Sequence, residues 1–113
     1  MDFLSSLLGP SIPTLKAPEA HEKLKQFPKP FLLDVREAVE FRAVSIPGAT
    51  LIPSGQLAAQ MSKLPKEKEI IVICASGSRS VSATRQLIAA GYKAINMQGG
   101  MNAWMRAGLP VKR

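Results

Sequence analysis

Short apolar segments with the length of β-strands recur along the chain, and segments with helical character separate them. The strongest is Ile70–Ile73, in which every side chain is apolar and β-branched. Such a segment, apolar on both faces, is typical of a central strand in a parallel sheet. Shorter strands are predicted at Phe31–Leu33, Thr50–Ile52 and Ala94–Met97. The pattern therefore predicts a sheet in which Ile70–Ile73 is an inner strand.

Helices are predicted between these strands, over residues 18–25, 37–42, 54–63, 79–90 and 101–107. Pro18 suits the first turn of a helix, and Ser54 can cap one. Gly91 and Gly108 stand where the last two helices should end. Because strands and helices alternate, we predict an α/β fold with three layers. Helices should cover both faces of a mainly parallel central sheet of about five short strands.

The length of 113 residues fits one compact domain. We expect residues 14–113 to form this domain and residues 1–13 to form an apolar arm before it. The arm begins MDFLSSLLGP and lacks the early positive charge of a secretory signal. A candidate surface for a partner or for self-association is formed by Phe3, Leu4, Leu7 and Leu8. No run of eighteen apolar residues occurs, so we predict no transmembrane segment.

The net charge of +7 raises the question of an anionic partner. The lysines are dispersed among apolar and acidic residues, and no run of five or six like charges occurs. One Trp and one Tyr offer little aromatic surface on which bases could stack. We therefore predict no nucleic-acid partner, and we expect a general positive potential that attracts small anions.

The chain has a single cysteine, Cys74. An intrachain disulfide is therefore impossible, and a zinc site built from cysteines is excluded. We predict no metal and no cofactor. A lone cysteine is compatible with a reducing compartment, and we expect a cytoplasmic location.

Cys74 directly follows the strongest predicted strand and precedes the helix predicted at 79–90. In an α/β sheet, ligands bind beyond the carboxyl ends of the strands. A tight loop at this point can turn its backbone N–H groups inward, and the helix adds its positive end, so the loop suits an anion. The candidate binding residues of this loop are Ala75, Ser76, Gly77, Ser78, Arg79 and Ser80.

The residue types in this loop favour a reactive cysteine. Gly77 permits a backbone conformation that a β-carbon would penalise, the serines can donate hydrogen bonds, and Arg79 offers a planar fork of donors. The same groups would stabilise a thiolate electrostatically, without a neighbouring histidine as base. The alternative is that Cys74 is simply a small buried apolar residue at a strand end.

From about Thr14 to Val111 the chain resembles the rhodanese-like family, through motifs that occur in the family's order. They are Leu33-Asp34-Val35-Arg36, Glu37 with Glu40-Phe41, Ile46-Pro47-Gly48-Ala49, the loop Cys74-x-x-Gly77-x-Arg79-Ser80, Gly99-Gly100 with Trp104, and Gly108-Leu109-Pro110-Val111. One departure is Val44-Ser45, where many relatives have Gly-His before the Ile-Pro-Gly-Ala turn. We expect a surface or packing change there, since the cysteine loop is intact.

The resemblance implies a sulfurtransferase of the thiosulfate type. In this family the cysteine thiolate, here Cys74, takes the outer sulfur of a donor such as thiosulfate and holds it as a persulfide. A thiol or cyanide then accepts that sulfur, and a protein persulfide can replace the small anionic donor. Arg79 would bind the donor's sulfonate end, and backbone N–H groups of residues 75–80 would stabilise the persulfide. Asp34 and Arg36 are expected to orient loops beside the site, and Arg36 could also attract the anion.

Two other functions remain open at this point. Domains of this fold also serve as slow or non-enzymatic sulfur carriers and as partner-docking modules. A related type of phosphatase or arsenate reductase also uses a cysteine loop closed by arginine, but with one residue more between the two. Here four residues separate Cys74 from Arg79, and the tighter loop should suit a single sulfur better than a tetrahedral phosphate.

Overall fold

A five-stranded sheet forms the centre of the computed structural model, which describes residues 11–113. Its strands are β1 (Thr14–Leu15), β2 (Phe31–Asp34), β3 (Thr50–Leu51), β4 (Glu69–Ile73) and β5 (Lys93–Met97). They lie in the order β1-β5-β4-β2-β3, and every pair is parallel. The mainly parallel sheet is confirmed, and the carboxyl ends of its strands share one edge. β1 was not among the predicted strands, because two residues are too short for an alternating pattern.

The helices are α1 (Ala17–Lys23), α2 (Ala38–Ala43), α3 (Leu57–Gln60), α4 (Ser78–Ala89) and α5 (Gly100–Arg106). One face of the sheet packs against α3 and α4, and the other face packs against α1 and α5. The predicted α/β fold with helices on both faces is confirmed. Within residues 11–113, no helix combines the length and the apolar character that a membrane crossing requires.

The helix predicted over residues 54–63 is wrong in its extent. Only α3 is α-helical, with short 3₁₀ turns on either side at Ser54–Gln56 and Met61–Lys63. Ser54 does not cap a helix with its side chain. Its backbone N–H instead donates to the Val35 carbonyl at 3.0 Å, which ties this segment to the end of β2.

Strand β4 is the innermost strand and determines the direction of Cys74. Its residues 70–73 are fully buried between β2 and β5. Side chains alternate along a strand, so Ile70 and Val72 join the core on the α4 side, while Ile71 and Ile73 join the core on the α1 side. Cys74 continues this alternation and joins the core on the α4 side.

The departure at Val44-Ser45 is a packing feature, as expected. Ser45 is buried and forms an antiparallel bridge with Lys112, with N–H···O distances of 2.9 and 2.7 Å. The indole N–H of Trp104 donates to the Pro110 carbonyl at 2.7 Å. These bonds hold the last residues of the chain against the body of the domain.

The first turn of α5 lies directly on the loop after β4. The N–H of Met101 donates to the Cys74 carbonyl at 2.8 Å, and the N–H of Asn102 donates to the Ala75 carbonyl at 3.0 Å. Gly99 and Gly100 approach the loop with φ of +78° and +57°. A β-carbon on Gly100 would collide with the backbone of Cys74 and Ala75. The Gly-Gly pair therefore allows a helix end to contact the cysteine loop.

We predict that Gly100→Ala destabilises the domain much more than Gly48→Ala does. Both glycines have positive φ, so alanine costs about 1–2 kcal/mol at each position. Gly48 has open space around the position of a β-carbon, whereas Gly100 faces backbone atoms that cannot move aside. The difference in free energy of unfolding between the variants should be at least about 2 kcal/mol by urea titration. Equal losses in the free energy of unfolding would show that the start of α5 does not contact the loop as closely as described.

Candidate functional site

Cys74 lies at the carboxyl edge of the sheet, between the end of β4 and the start of α4. The chain turns into α4 through Gly77, which is the N-cap and has φ of +111°. Only glycine adopts this backbone conformation without strain. A β-carbon on Gly77 would also lie 3.2 Å from the backbone nitrogen of Gly99. The loop is therefore packed closely against Gly99.

Two polar groups of this loop contact the sulfur. The Gly77 N–H donates to Cys74 Sγ at 3.0 Å, and the Ser80 hydroxyl oxygen lies 3.3 Å from the same sulfur. The Cys74 side chain has 0% exposure. A hydrogen-bond donor such as the Gly77 N–H supports a negative charge more strongly at a buried site than it would in solvent. The arrangement can therefore hold an anionic sulfur at this position.

Ser80 is itself fixed by a buried neighbour, Asn96 of β5. The Ser80 hydroxyl lies 2.6 Å from Asn96 Oδ1 and 3.1 Å from the Gly77 carbonyl. Both Ser80 and Asn96 are buried. Sequence reasoning did not single out Asn96. The available signal was a polar residue inside the otherwise apolar segment Ala94–Met97.

Arg79 forms a bidentate ion pair with Glu40 of α2. Its two terminal nitrogens lie 2.7 and 2.9 Å from the two carboxylate oxygens. The side chains are 35% and 31% exposed. The hydrogen bond from Arg79, with help from the backbone N–H of Glu37, lowers the pKa of Glu40 from 4.5 to about 2. The same bond raises the pKa of Arg79.

The remaining candidates in the loop are small and face outwards. Ser76 and Ser78 are exposed, and Ala75 is half-buried. The Ala75 carbonyl is already occupied by α5, through the N–H of Asn102. Small side chains therefore form the exposed part of the loop. In residues 11–113 there is no group of His, Cys, Asp and Glu side chains that could bind a metal ion.

Asp34 and Arg36 form a buried ion pair at the end of β2, the strand beside β4. Arg36 donates to both carboxylate oxygens of Asp34, with the shortest distance at 2.7 Å. Its guanidinium also donates to the Val44 carbonyl at 2.7 Å and, more weakly, to the Glu40 carbonyl at 3.4 Å. The pair thus connects the end of β2 to α2, which carries Glu40. These bonds position α2, and neither residue has a hydrogen bond to Cys74.

Comparison with known proteins identifies the family of this chain. A family model described as a rhodanese-like domain matches residues 16–107. The chain is 37% identical over 81 residues to a protein named sulfurtransferase from Allochromatium vinosum, covering 71% of this chain and 76% of that protein. It is 40% identical over 83 residues to the putative sulfurtransferase YtwF of Bacillus subtilis, covering 74% of this chain and 81% of YtwF.

A solved structure shows the same architecture. The crystal structure of a rhodanese-related protein from Thermoplasma volcanium superposes with a TM-score of 0.83 at 32% sequence identity. The match covers 88% of this chain and 97% of the other. Sequence and fold comparisons therefore agree over nearly the whole described domain.

We predict that Glu40→Gln removes a contribution to stability that depends on pH. Because folding lowers the pKa of Glu40 from 4.5 to about 2, its ion pair stabilises the fold fully above pH 4.5 and loses that effect as the pH falls towards 2. The pair is partly exposed, so the loss at neutral pH should be about 0.5–1 kcal/mol. Urea titrations of wild type and Glu40→Gln should differ at neutral pH and converge near pH 2.

The matched control is Glu67→Gln, at an exposed carboxylate in the loop before β4. It should leave the free energy of unfolding unchanged over the same pH range. A difference between wild type and Glu40→Gln that stays constant down to pH 2 would contradict the ion pair's role.

Proposed function

The chain belongs to the rhodanese-like family, and from this premise we propose that it is a sulfurtransferase in which Cys74 carries the transferred sulfur as a persulfide. Family membership and relatives named as sulfurtransferases support sulfur transfer in general. The observation that carries the specific proposal is the hydrogen bond from the Gly77 N–H to Cys74 Sγ, at 3.0 Å. An amide aimed at a buried sulfur favours the anionic forms that sulfur transfer needs, thiolate and persulfide.

The first step loads the sulfur. The Cys74 thiolate attacks the outer sulfur of thiosulfate, a new S–S bond forms, and the bond between the two donor sulfurs breaks. Sulfite leaves with the electron pair of that bond. The outer sulfur of the persulfide then bears the negative charge and lies beyond Sγ, towards the loop. Backbone N–H groups of residues 75–80 are the donors proposed to hold it.

The second step unloads the sulfur. A thiolate or cyanide attacks the outer persulfide sulfur, and the electron pair of the S–S bond returns to Cys74 as thiolate. The acceptor must be another molecule, because the chain has one cysteine. The donor and acceptor therefore use the same position in turn, which is a double-displacement mechanism.

Arg79 is proposed to bind the sulfonate end of the donor. Two of its N–H groups are held by Glu40, which leaves further N–H groups of the planar fork for a second anion. In this role Glu40 fixes the orientation of the guanidinium beside the loop. The net charge of +7 adds a general attraction for anionic donors.

The complete burial of Cys74 favours a second candidate, a sulfur carrier. A persulfide held at 0% side-chain exposure is protected from small acceptors in solution. In that case a partner protein would open the loop to receive the sulfur, and turnover with cyanide would be slow. Slow loading by thiosulfate and slow thiocyanate formation, together with faster loading from a protein persulfide, would favour this candidate over the enzyme.

We predict that the wild type transfers sulfur from thiosulfate to cyanide with double-displacement kinetics. Plots of reciprocal rate against reciprocal thiosulfate concentration, at several cyanide concentrations, should give parallel lines. Cys74→Ser should lose more than about a thousandfold in kcat, because the only nucleophile in the scheme is removed. Thiocyanate formation measures the rate.

The control is Ser62→Ala, at an exposed position in the turn after α3, which should keep wild-type rates. Hydrolysis of a phosphate ester that depends on Cys74, together with no thiocyanate formation, would overturn the proposal in favour of a phosphatase. Intersecting lines would contradict the persulfide scheme.

A further inference from the structure

The Ser80 hydroxyl has one proton and more acceptors than it can serve. Asn96 Oδ1 lies at 2.6 Å, the Gly77 carbonyl at 3.1 Å and Cys74 Sγ at 3.3 Å. A hydroxyl donates one hydrogen bond and accepts others through its lone pairs. The shortest distance shows that the proton is directed to Asn96 in this state. The lone pairs of the hydroxyl are then left to face Sγ.

That arrangement suits a protonated Cys74. The thiol S–H can donate to the Ser80 oxygen while the Ser80 O–H donates to Asn96 Oδ1. This gives a continuous chain from Sγ through Ser80 to Asn96, in which every donor has an acceptor. All three side chains are buried, so water does not compete for these bonds.

The direction of the Ser80 hydroxyl in this state does not suit a thiolate, although the Gly77 N–H still donates to the sulfur. When the thiol proton leaves, the lone pairs of Ser80 face a negative sulfur at 3.3 Å. The hydroxyl must turn its proton to Sγ, and this leaves two oxygens, Ser80 Oγ and Asn96 Oδ1, facing each other at 2.6 Å. A buried contact between two acceptors is costly. An amide removes this cost by turning over, so that its NH₂ group donates to Ser80.

We propose that Asn96 is a positioning residue for the reactive thiolate. When Cys74 ionises, the amide of Asn96 flips, and the Ser80 hydroxyl is then free to donate to the sulfur. The inference deepens the proposed sulfur transfer and rests on it for its use. No proton leaves Ser80 in this step, since the hydroxyl only rotates. Asparagine suits the position because its amide oxygen accepts a hydrogen bond and its NH₂ group donates one.

The charged groups around the thiol lie on other elements. Arg79 of α4 interacts electrostatically with Cys74 and Glu37 and is paired with Glu40. Asp34 and Arg36 form their ion pair at the end of β2. None of these groups has a hydrogen bond to Ser80 or Asn96 within residues 11–113. A change at Asn96 can therefore be separated from theirs.

The first experiment uses the unaltered protein. The side-chain NH₂ resonances of Asn96 are followed by heteronuclear NMR across pH, and thiolate formation is followed by ultraviolet absorbance against a Cys74→Ser blank. We expect the Asn96 resonances to shift with the same pH midpoint as the thiolate absorbance. In Ser80→Ala this shift should fall at least about threefold, because the linking hydroxyl is absent. Asn96 resonances that do not move while the thiolate forms would overturn the inference.

The second experiment is a double-mutant cycle with Asn96→Asp and Ser80→Ala. A carboxylate at this position only accepts hydrogen bonds, so the Ser80 hydroxyl should keep donating to it and not to the sulfur. The pH midpoint of thiolate formation should therefore rise by about one pH unit or more, a tenfold effect. In the Ser80→Ala background the same change should have less than half that effect. An equal rise in both backgrounds would indicate simple charge repulsion and contradict the inference.

Asn102→Asp supplies the matched charge control, since Asn102 is an exposed residue of α5. It should shift the pH midpoint of thiolate formation much less than Asn96→Asp does.

The NMR and absorbance measurements do not depend on sulfur transfer. Absence of thiocyanate formation in wild type would defeat the proposed function, while the coupling of Asn96 to the thiolate would still be measured.

Discussion

The hydrogen bond from the Gly77 N–H to Cys74 Sγ is the interaction on which the site depends. It exists because Gly77 has a positive φ that turns the amide back over the end of β4. The rest of the domain keeps this short loop in place. Cys74 directly follows the last residue of β4, and α4 begins at Ser78, directly after Gly77.

The loop is held from two further sides. On one side, the start of α5 donates to the carbonyls of Cys74 and Ala75. On the other side, Arg79 is tied to Glu40, and α2 is in turn tied to the end of β2 by the buried Asp34–Arg36 pair. The carbonyls of Cys74 and Ala75 are thus occupied by backbone groups of α5, and the Gly77 N–H is directed at the sulfur. A backbone N–H in this position supports a negative charge on the sulfur.

Much of the fold could be predicted from the pattern, because Ile70–Ile73 is a run of apolar β-branched residues and the helix stops at Gly91 and Gly108 are local signals. The cysteine loop could also be recognised from the sequence, since its residues are consecutive. Contacts between distant residues could not be predicted. Glu40 lies 39 positions before Arg79, and nothing in either segment marks the other as its partner. β1 forms by pairing with β5, and local propensity does not report that pairing. The proposed arm at residues 1–13 stays a prediction, since residues 1–10 lie outside the described part of the chain.

The central claim is that Cys74 holds the sulfur in transit, and intact-protein mass spectrometry after exposure to thiosulfate tests it most directly. Wild type should gain the mass of one sulfur atom, about 32 Da, with release of one equivalent of sulfite. Cyanide should then remove the added mass, and Cys74→Ser should show no gain. A wild-type protein whose mass is unchanged by thiosulfate and by a small persulfide donor would contradict the account.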